Sequence, residues 1–541
     1  MKKLLLMVLG VLLAASVSYA GNVDTFGIGS RATALGGAYS ATADDPFAAY
    51  YNPAGLSQIK TTTVSGGLEL VELKLKVRDF HVENAEDPNL KDRSYITDDS
   101  PMLFVPHLGV AMPIGNNIGI GLAVYAPWGM TIEWESDPIK NPIAYNAYKV
   151  SLVREAMNPT VSYDMGKVSF GMGVSLGTSK IIQERKIYIS RNLSEYSMVG
   201  NTAKTVVDKL FAGASKIWAT SKKDALNWED DQYKVTDTRQ AALLYNTAYA
   251  LSKNQEYAVY GKMFSDISAK GIYTVDQVGN YYQTRYGDRT AVDQGQNLEI
   301  DIQDDFNYAI NVGIMYNPND RVTLGLTYRS LTDTTYEGDA KQDGKKVSDA
   351  ELKYDHPNQV QGGIRYQANN DFSMEFDMVW TNWSINRTQV LNLKTPIYIR
   401  IFDPDDPAAP MFNKPVFEAV NERDWSDTMQ IRFGAEYQLN KMIVLRGSYF
   451  YDPSPIPDDT LDFSWPDGDK KIYALGAGFN FGKITIDTVL QYAAAEQPRV
   501  IGGESPNLNH SYDITELYDR AVFVKARGHI WGLGMTFSYA F

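Results

Sequence analysis

Read with a period of two, the end of the chain separates into two unlike faces. Trp531, Leu533, Met535, Phe537, Tyr539 and Phe541 alternate with Gly532, Gly534, Thr536, Ser538 and Ala540. Successive side chains of a β-strand point to opposite faces, so the alternation predicts a strand. A soluble strand would bury its bulky face and turn polar groups to water. Here the second face is small and weakly polar, which suits a wall with lipid outside and a lumen inside. The pattern recurs: Val168, Phe170, Met172, Val174 and Leu176 oppose Ser169, Gly171, Gly173, Ser175 and Gly177. Met429, Ile431, Phe433 and Tyr437 oppose Gln430, Arg432, Gly434 and Glu436, and residues 322–329 and 472–481 alternate in the same way.

The connections separate a membrane wall from a soluble sandwich. Clusters of Gly, Asn, Asp and Pro of hairpin length lie near residues 113–117, 164–167, 317–320, 368–371, 439–441 and 481–483. Between them run longer polar stretches near residues 80–100, 135–144, 191–297, 338–350, 392–425, 452–469 and 497–522. Short turns alternating with long loops are the layout of an outer-membrane barrel. The segments predict an all-β fold, a transmembrane antiparallel barrel of about fourteen strands with both ends in the periplasm.

Composition fits that reading. Tyr 35, Phe 21 and Trp 9 are many aromatics for a chain of negative mean hydropathy, as expected where aromatic girdles flank a lipid-facing band. Zero Cys removes disulfides, thiol catalysis and Cys-based metal sites. A formal charge of −14 gives no basic footprint for nucleic acid. Lys2 and Lys3, the apolar run 4–13 and Ser18-Tyr19-Ala20 have the layout of a secretory signal over residues 1–20.

Two segments leave the strand pattern. Within 191–297, Ala203, Val206, Val207, Leu210, Phe211, Ala214, Ile217 and Trp218 draw one apolar helical face, and a second helix is expected around 244–264. Either this loop packs on itself over the barrel mouth, or Phe211, Ile217 and Trp218 offer a hydrophobic molecule its first contact. Residues 21–60 are rich in Gly and Ala without a clear strand. Gly27-Ile28-Gly29 mimics a dinucleotide fingerprint but lacks the strand and βαβ unit that motif requires. Small residues of this kind suit a compact plug whose backbone packs closely.

The segment 29–56, with Gly29-Ser30-Arg31-Ala32, Gly36-Gly37-Ala38-Tyr39, Ala43-Asp44-Asp45 and Asn52-Pro53-Ala54-Gly55-Leu56, resembles the FadL-type outer-membrane transporters of long-chain fatty acids and aromatic hydrocarbons. Tyr328-Arg329-Ser330, Trp380-Thr381-Asn382-Trp383-Ser384, Asp452-Pro453-Ser454-Pro455-Ile456-Pro457 and the terminal Phe541 extend the resemblance over the mature chain. It implies a fourteen-stranded barrel over 61–541, an amino-terminal hatch over 21–60 carrying Asn52, Pro53 and Ala54, and a large external loop at 191–297. It further implies passive uptake of hydrophobic small molecules, with lateral exit through a kinked third strand, in the outer membrane. On the third strand, Pro127, Trp128 and Gly129 are the candidates for the kink, since proline cannot donate to a ladder and glycine permits a bend.

A carboxylate head group would call for a cationic partner. Alternation turns Arg185, Arg329 and Arg432 inward, with Arg154 in the same sense. Lys180 aligns with a basic position the family uses near the ligand head, although parity points it outward; the family's second such lysine position falls near Ser426, where this chain departs from the family. The aspartates at 403, 405, 406, 458, 459, 467 and 469 lack the fixed spacing of a metal site, and His81, His107, His356, His510 and His529 show no ligand motif. No G-x-S-x-G elbow marks a catalytic serine. The sequence therefore points to a monomeric, non-enzymatic channel without metal or cofactor, its partners a hydrophobic ligand and outer-membrane lipid or lipopolysaccharide, not nucleic acid. A general porin for polar solutes and an outer-membrane enzyme acting on lipids are the alternatives, with an adhesin built on the long loops a third.

Overall fold

The computed structural model describes residues 22–24, 27–85, 90, 92–188, 210–220, 234–253, 255–278, 281, 295–401, 412–513 and 520–541. The expected signal over 1–20 lies outside them, as do the aspartates at 403, 405 and 406.

Fourteen strands form the wall. They are β1 (Thr63–Val82), β2 (Leu103–Ile114), β3 (Ile118–Glu133), β4 (Lys149–Asp164), β5 (Val168–Ile187), β6 (Gln296–Asn319) and β7 (Val322–Arg329). The second half comprises β8 (Gln359–Gln367), β9 (Phe372–Thr381), β10 (Thr428–Gln438), β11 (Ile443–Asp452), β12 (Lys470–Phe481), β13 (Ile484–Ala495) and β14 (Val522–Ala540). Each pairs antiparallel with the next, and β14 returns to β1 from Ala540↔Thr63 to Val522↔Val82. The sheet closes on itself, so the wall has no free edge strand.

Side-chain direction follows the two-residue period. On β14, Leu533, Met535 and Phe537 are 55%, 59% and 48% exposed, while Gly532, Gly534 and Thr536 are buried. Phe170, Met172, Leu326, Ile431, Phe433 and Leu475 continue this outer apolar surface around the ring. The exterior is greasy and the interior polar, as a lipid-embedded barrel requires. No described helix is long and apolar enough to cross a membrane. All six short connections, at 115–117, 165–167, 320–321, 368–371, 439–442 and 482–483, fall at one end.

At the other end, two stretches expected to be loops extend the wall instead. Strands Thr335–Gln342, Lys345–Lys353, Thr388–Ile401 and Phe412–Glu422 form a further sheet, joined to the upper part of β6 through Glu337↔Gln303 to Gln342↔Leu298. Their outward positions carry Asp339, Lys346 and Asp349, which pair with one another in water rather than facing lipid. That charge hides the alternation of Tyr336, Ala340 and Ala350, all buried on the inner side.

The external insert contains helices α1 (Thr238–Ser252) and α2 (Gln255–Ala269) with a further helical stretch at 210–220. They share a core of their own, in which Phe211 meets Phe264 with ring centroids 4.9 Å apart.

Candidate functional site

Residues 27–60 sit inside the ring of strands, and nearly all are buried. Short helices at Ser30–Ala34, Ala48–Tyr51 and Pro53–Gln58 fold the segment into a plug. Asn52 sets its centre: Oδ1 accepts from Ala54 N at 3.1 Å and caps the last helix, with Pro53 at its first position. Its Nδ2 donates to the carbonyls of Ser40 at 2.6 Å and of Ile314 on β6 at 3.2 Å. One amide thus ties two turns of the plug to the wall.

The inward glycines are where the plug touches the strands. A methyl group added at Gly171 would lie 2.2 Å from the Pro53 carbonyl carbon, and one at Gly325 2.1 Å from the Ser40 carbonyl oxygen. Those positions have no room for a side chain, so the small lumen face seen in the alternation is a bed for the plug backbone.

Acidic and basic side chains on the wall complete the seating. Asp377 accepts from the backbone N–H groups of Tyr39 and Ser40 at 3.3 and 3.1 Å, and Glu375 from that of Ala41 at 2.7 Å and from the Thr42 hydroxyl. Arg31 bridges Asp44 of the plug at 2.7 Å and Glu436 of β10 at 3.2 Å. Arg446 joins Glu436 at 2.7 Å to Asp487 at 2.6 Å. Sequence reading missed these groups; two acids at i and i+2 between the outward Met374, Phe376 and Met378 were the available signal.

Two of the expected head-group arginines belong to the same seating. Arg329 donates to Gln359, Gln361 and the Tyr50 carbonyl, and lies over the Tyr50 ring. Arg432 donates to Gln430 and the Gly37 carbonyl. Arg154 is buried and bonded to Asn307 and Ser175. Lys180 lies on the outer side, 2.9 Å from Asp301, because Ser179 and Ile181 take the inward positions beside it. Phe211 is buried within the loop core, while Ile217 and Trp218 lie at its margin.

Arg185 is placed differently. It makes no hydrogen bond or ion pair among the described residues, and it lines a cavity of about 450 Å³ above the plug. Ile181, Ile300, Ile302, Leu391 and Val416 supply apolar walls; Arg423 and Asp462 neutralise each other on one side at 2.8 Å. Around the axis below the loops stands an aromatic group that the sequence did not reveal: Trp128, Tyr354, His356, Trp383, Trp425 and Trp465. Burial, reinforced by the Arg154 charge, holds His356 well below the usual imidazole range, so it stands neutral among these rings.

Trp128 reaches this group because β3 bends. Against β4 the register jumps from Tyr125↔Ala156 to Trp128↔Arg154, placing Ala126 and Pro127 opposite Glu155 alone. Pairing of β3 with β2 runs only as far as Val124↔Leu108, while β2 continues along β1 to Leu103↔Val71. Above Val124 the β2–β3 seam is therefore unzipped. Residues 125–132 are buried throughout, and the short strand Asn22–Asp24 pairs with Trp128 and Gly129. Among the described residues no group of acidic and histidine side chains is arranged to hold a metal ion.

Comparison with known proteins supplies the context. The chain is 22% identical over 319 residues to outer membrane protein P1 of Haemophilus influenzae, and 22% identical over 330 residues to a long-chain fatty acid transport protein of Escherichia coli. Each alignment covers 57% of this chain, and 63% and 64% of those proteins, so the chain spans under two thirds of the curated relatives it matches. Among solved structures, a Pseudomonas aeruginosa FadL homologue matches with TM-score 0.62 at 14% identity, covering 97% of this chain and 99% of that one. The Ralstonia pickettii toluene transporter TbuX matches with TM-score 0.54 at 14% identity, over 96% and 99% of the two chains. At such identities these structures establish a shared fold. The family model described as outer membrane protein transport protein (OMPP1/FadL/TodX) matches residues 11–262 and 233–541, and with the closed, plugged, lipid-facing barrel this places the protein in the outer membrane as a member of that family.

Proposed function

We propose that this protein is a passive channel for small hydrophobic molecules, with an amphiphile bearing a carboxylate as its best-suited cargo. The observation that carries the reading is the Arg185 guanidinium, without a hydrogen bond or ion pair among the described residues, facing the Ile181, Ile300, Ile302, Leu391 and Val416 walls of the cavity above the plug. Burying an acyl chain yields roughly 0.8 kcal/mol per methylene, so the apolar walls hold the tail. The guanidinium gives a carboxylate a charge-assisted partner.

Transfer then proceeds inward past the aromatic group to the bend of β3. The unpaired seam beside Ala126 and Pro127 gives a greasy molecule a way into the bilayer without crossing the polar periplasmic side of the plug. The plug acts as the hatch. It is held by many modest contacts, so a bound and a released arrangement separated by a few kcal/mol can exchange on ligand arrival. Relatives named as a long-chain fatty acid transport protein and a toluene transporter are consistent with hydrophobic cargo of either shape. A general porin would need an open bore where this chain has its plug.

Mass spectrometry of molecules that copurify with the detergent-extracted protein tests the reading. Acyl carboxylates at stoichiometric level, depleted in an Arg185→Gln variant, are expected. An empty protein that passes large steady currents in planar bilayers would overturn it.

A further inference from the structure

The outer wall carries charge that transport of a hydrophobe does not use. Upward from the apolar band, the outward positions of β1 read Leu68, Leu70, Glu72, Lys74, Lys76 and Arg78. On antiparallel β14 the facing residues are Met535, Leu533, Trp531, His529, Arg527 and Lys525. Lys76 therefore faces Arg527 directly and Arg78 faces Lys525, with Lys74 beside His529 one step below. Like charges placed opposite each other on a sheet destabilise it, so such a ladder needs counter-charge. The chain supplies part of it: Glu72 pairs with Lys74 at 3.3 Å and Asp79 with Lys525 at 2.9 Å. Lys76, Arg78 and Arg527 are exposed and have no carboxylate within ion-pair distance among the described residues.

Their height on the wall says what can neutralise them. Just below, Trp531 packs against Tyr492 of β13 with ring centroids 4.5 Å apart, and Tyr492 lies 6.0 Å from His529. Such an aromatic belt marks the boundary between hydrocarbon and head groups. The long-loop end is the outer face of an outer-membrane barrel, so the cations stand at the head-group level of the outer leaflet. Three cations with no carboxylate partner among the described residues call for an anion carrying more than one charge. Phosphate provides that, and arginine forks bind it bidentately; a single acyl carboxylate does not.

We propose that the β1–β14 seam is a binding site for a phosphorylated lipid of the outer leaflet. Its phosphates lie among Lys76, Arg78 and Arg527, its head group rests on Trp531 and Tyr492, and its acyl chains follow Leu70, Leu533 and Leu490 down the wall. The site stands apart from the lumen and does not depend on the cargo proposed above.

The test is titration of the detergent-solubilised full chain with diphosphoryl lipid A, read by native mass spectrometry. Phosphatidylcholine and inorganic phosphate serve as comparison probes. Each basic residue near an anionic lipid surface contributes about fivefold to affinity, so Lys76→Gln/Arg78→Gln/Arg527→Gln is expected to bind about a hundredfold more weakly. Lys346→Gln, a paired cation elsewhere on the outer surface, should bind as the unchanged chain does. Heat-modifiable gel migration reports barrel folding. Should the triple variant not fold, Arg527→Gln alone is expected to lose about fivefold and Arg527→Lys to recover most of it. Equal binding of phosphatidylcholine, undiminished binding by the folded variants, or displacement of the lipid by stoichiometric inorganic phosphate would each overturn the proposal.

Discussion

Two arginines of equal parity can have opposite meaning, and what separates them is whether a partner is already in place. Arg432 points inward as alternation predicts, but its fork is occupied by Gln430 and the Gly37 carbonyl. Arg185 points inward with no hydrogen-bond or ion-pair partner among the described residues, in a cavity where water is the competitor for an anionic ligand. A hydrogen bond to a charged group contributes about 1.5–3 kcal/mol. Arg185→Gln is therefore expected to weaken binding of a long-chain carboxylate roughly tenfold to hundredfold while leaving a neutral aromatic hydrocarbon nearly unaffected. Isothermal titration with both ligand types checks this, and an equal loss for both would assign Arg185 a packing role. Parity was legible in the sequence at this scale; occupancy was not, because Gly37 and Arg432 are 395 positions apart and meet only in the closed ring.

At the level of elements, the third strand is the place where local chemistry showed through most clearly. Proline removes a ladder donor, and Gly129 follows two residues later, so the bend is legible in the three letters Pro127-Trp128-Gly129. The bend is a bulge at Ala126–Pro127 and a lost β2–β3 pairing. Its partner strand Asn22–Asp24 and the aromatic group that receives Trp128 come from distant segments that no local pattern announces. Likewise the added hairpins near 335–353 and 388–422 read as loops in the sequence, because water-facing charge on one side imitates the composition of a loop. Restoring strand formers with Pro127→Val/Gly129→Val should re-zip the seam. Binding at the Arg185 cavity is expected to persist while transfer into the bilayer falls at least tenfold, since only the exit is altered. Liposome uptake of a labelled hydrophobe beside equilibrium binding separates the two, and unchanged uptake would remove the seam from the path.

Taken as one molecule, the barrel is a strong closed ladder around a weakly held plug. The ring depends on backbone pairs that lipid cannot compete for. The plug depends on Asn52, Glu375, Asp377, Arg31 and close glycine contacts, each of modest worth. The amino-terminal motif therefore identifies the plug, whereas the bed beneath it is spread over residues from many strands and surfaced in the sequence only as small inward positions. This division predicts what removing the seat does. Glu375→Gln/Asp377→Asn keeps the shape of both side chains but turns a buried pair of carboxyls that accepts from plug N–H groups into two amides, whose NH2 ends cannot accept. The barrel should fold and migrate as before, because neither residue serves the ladder through its side chain. The plug should sample its released arrangement more often, giving frequent brief conductance steps in planar bilayers and faster proteolysis within residues 27–60 from the periplasmic side. A variant as silent and as protease-resistant as the unchanged chain would show that the glycine bed alone holds the plug, and that ligand must lift it against packing rather than against hydrogen bonds.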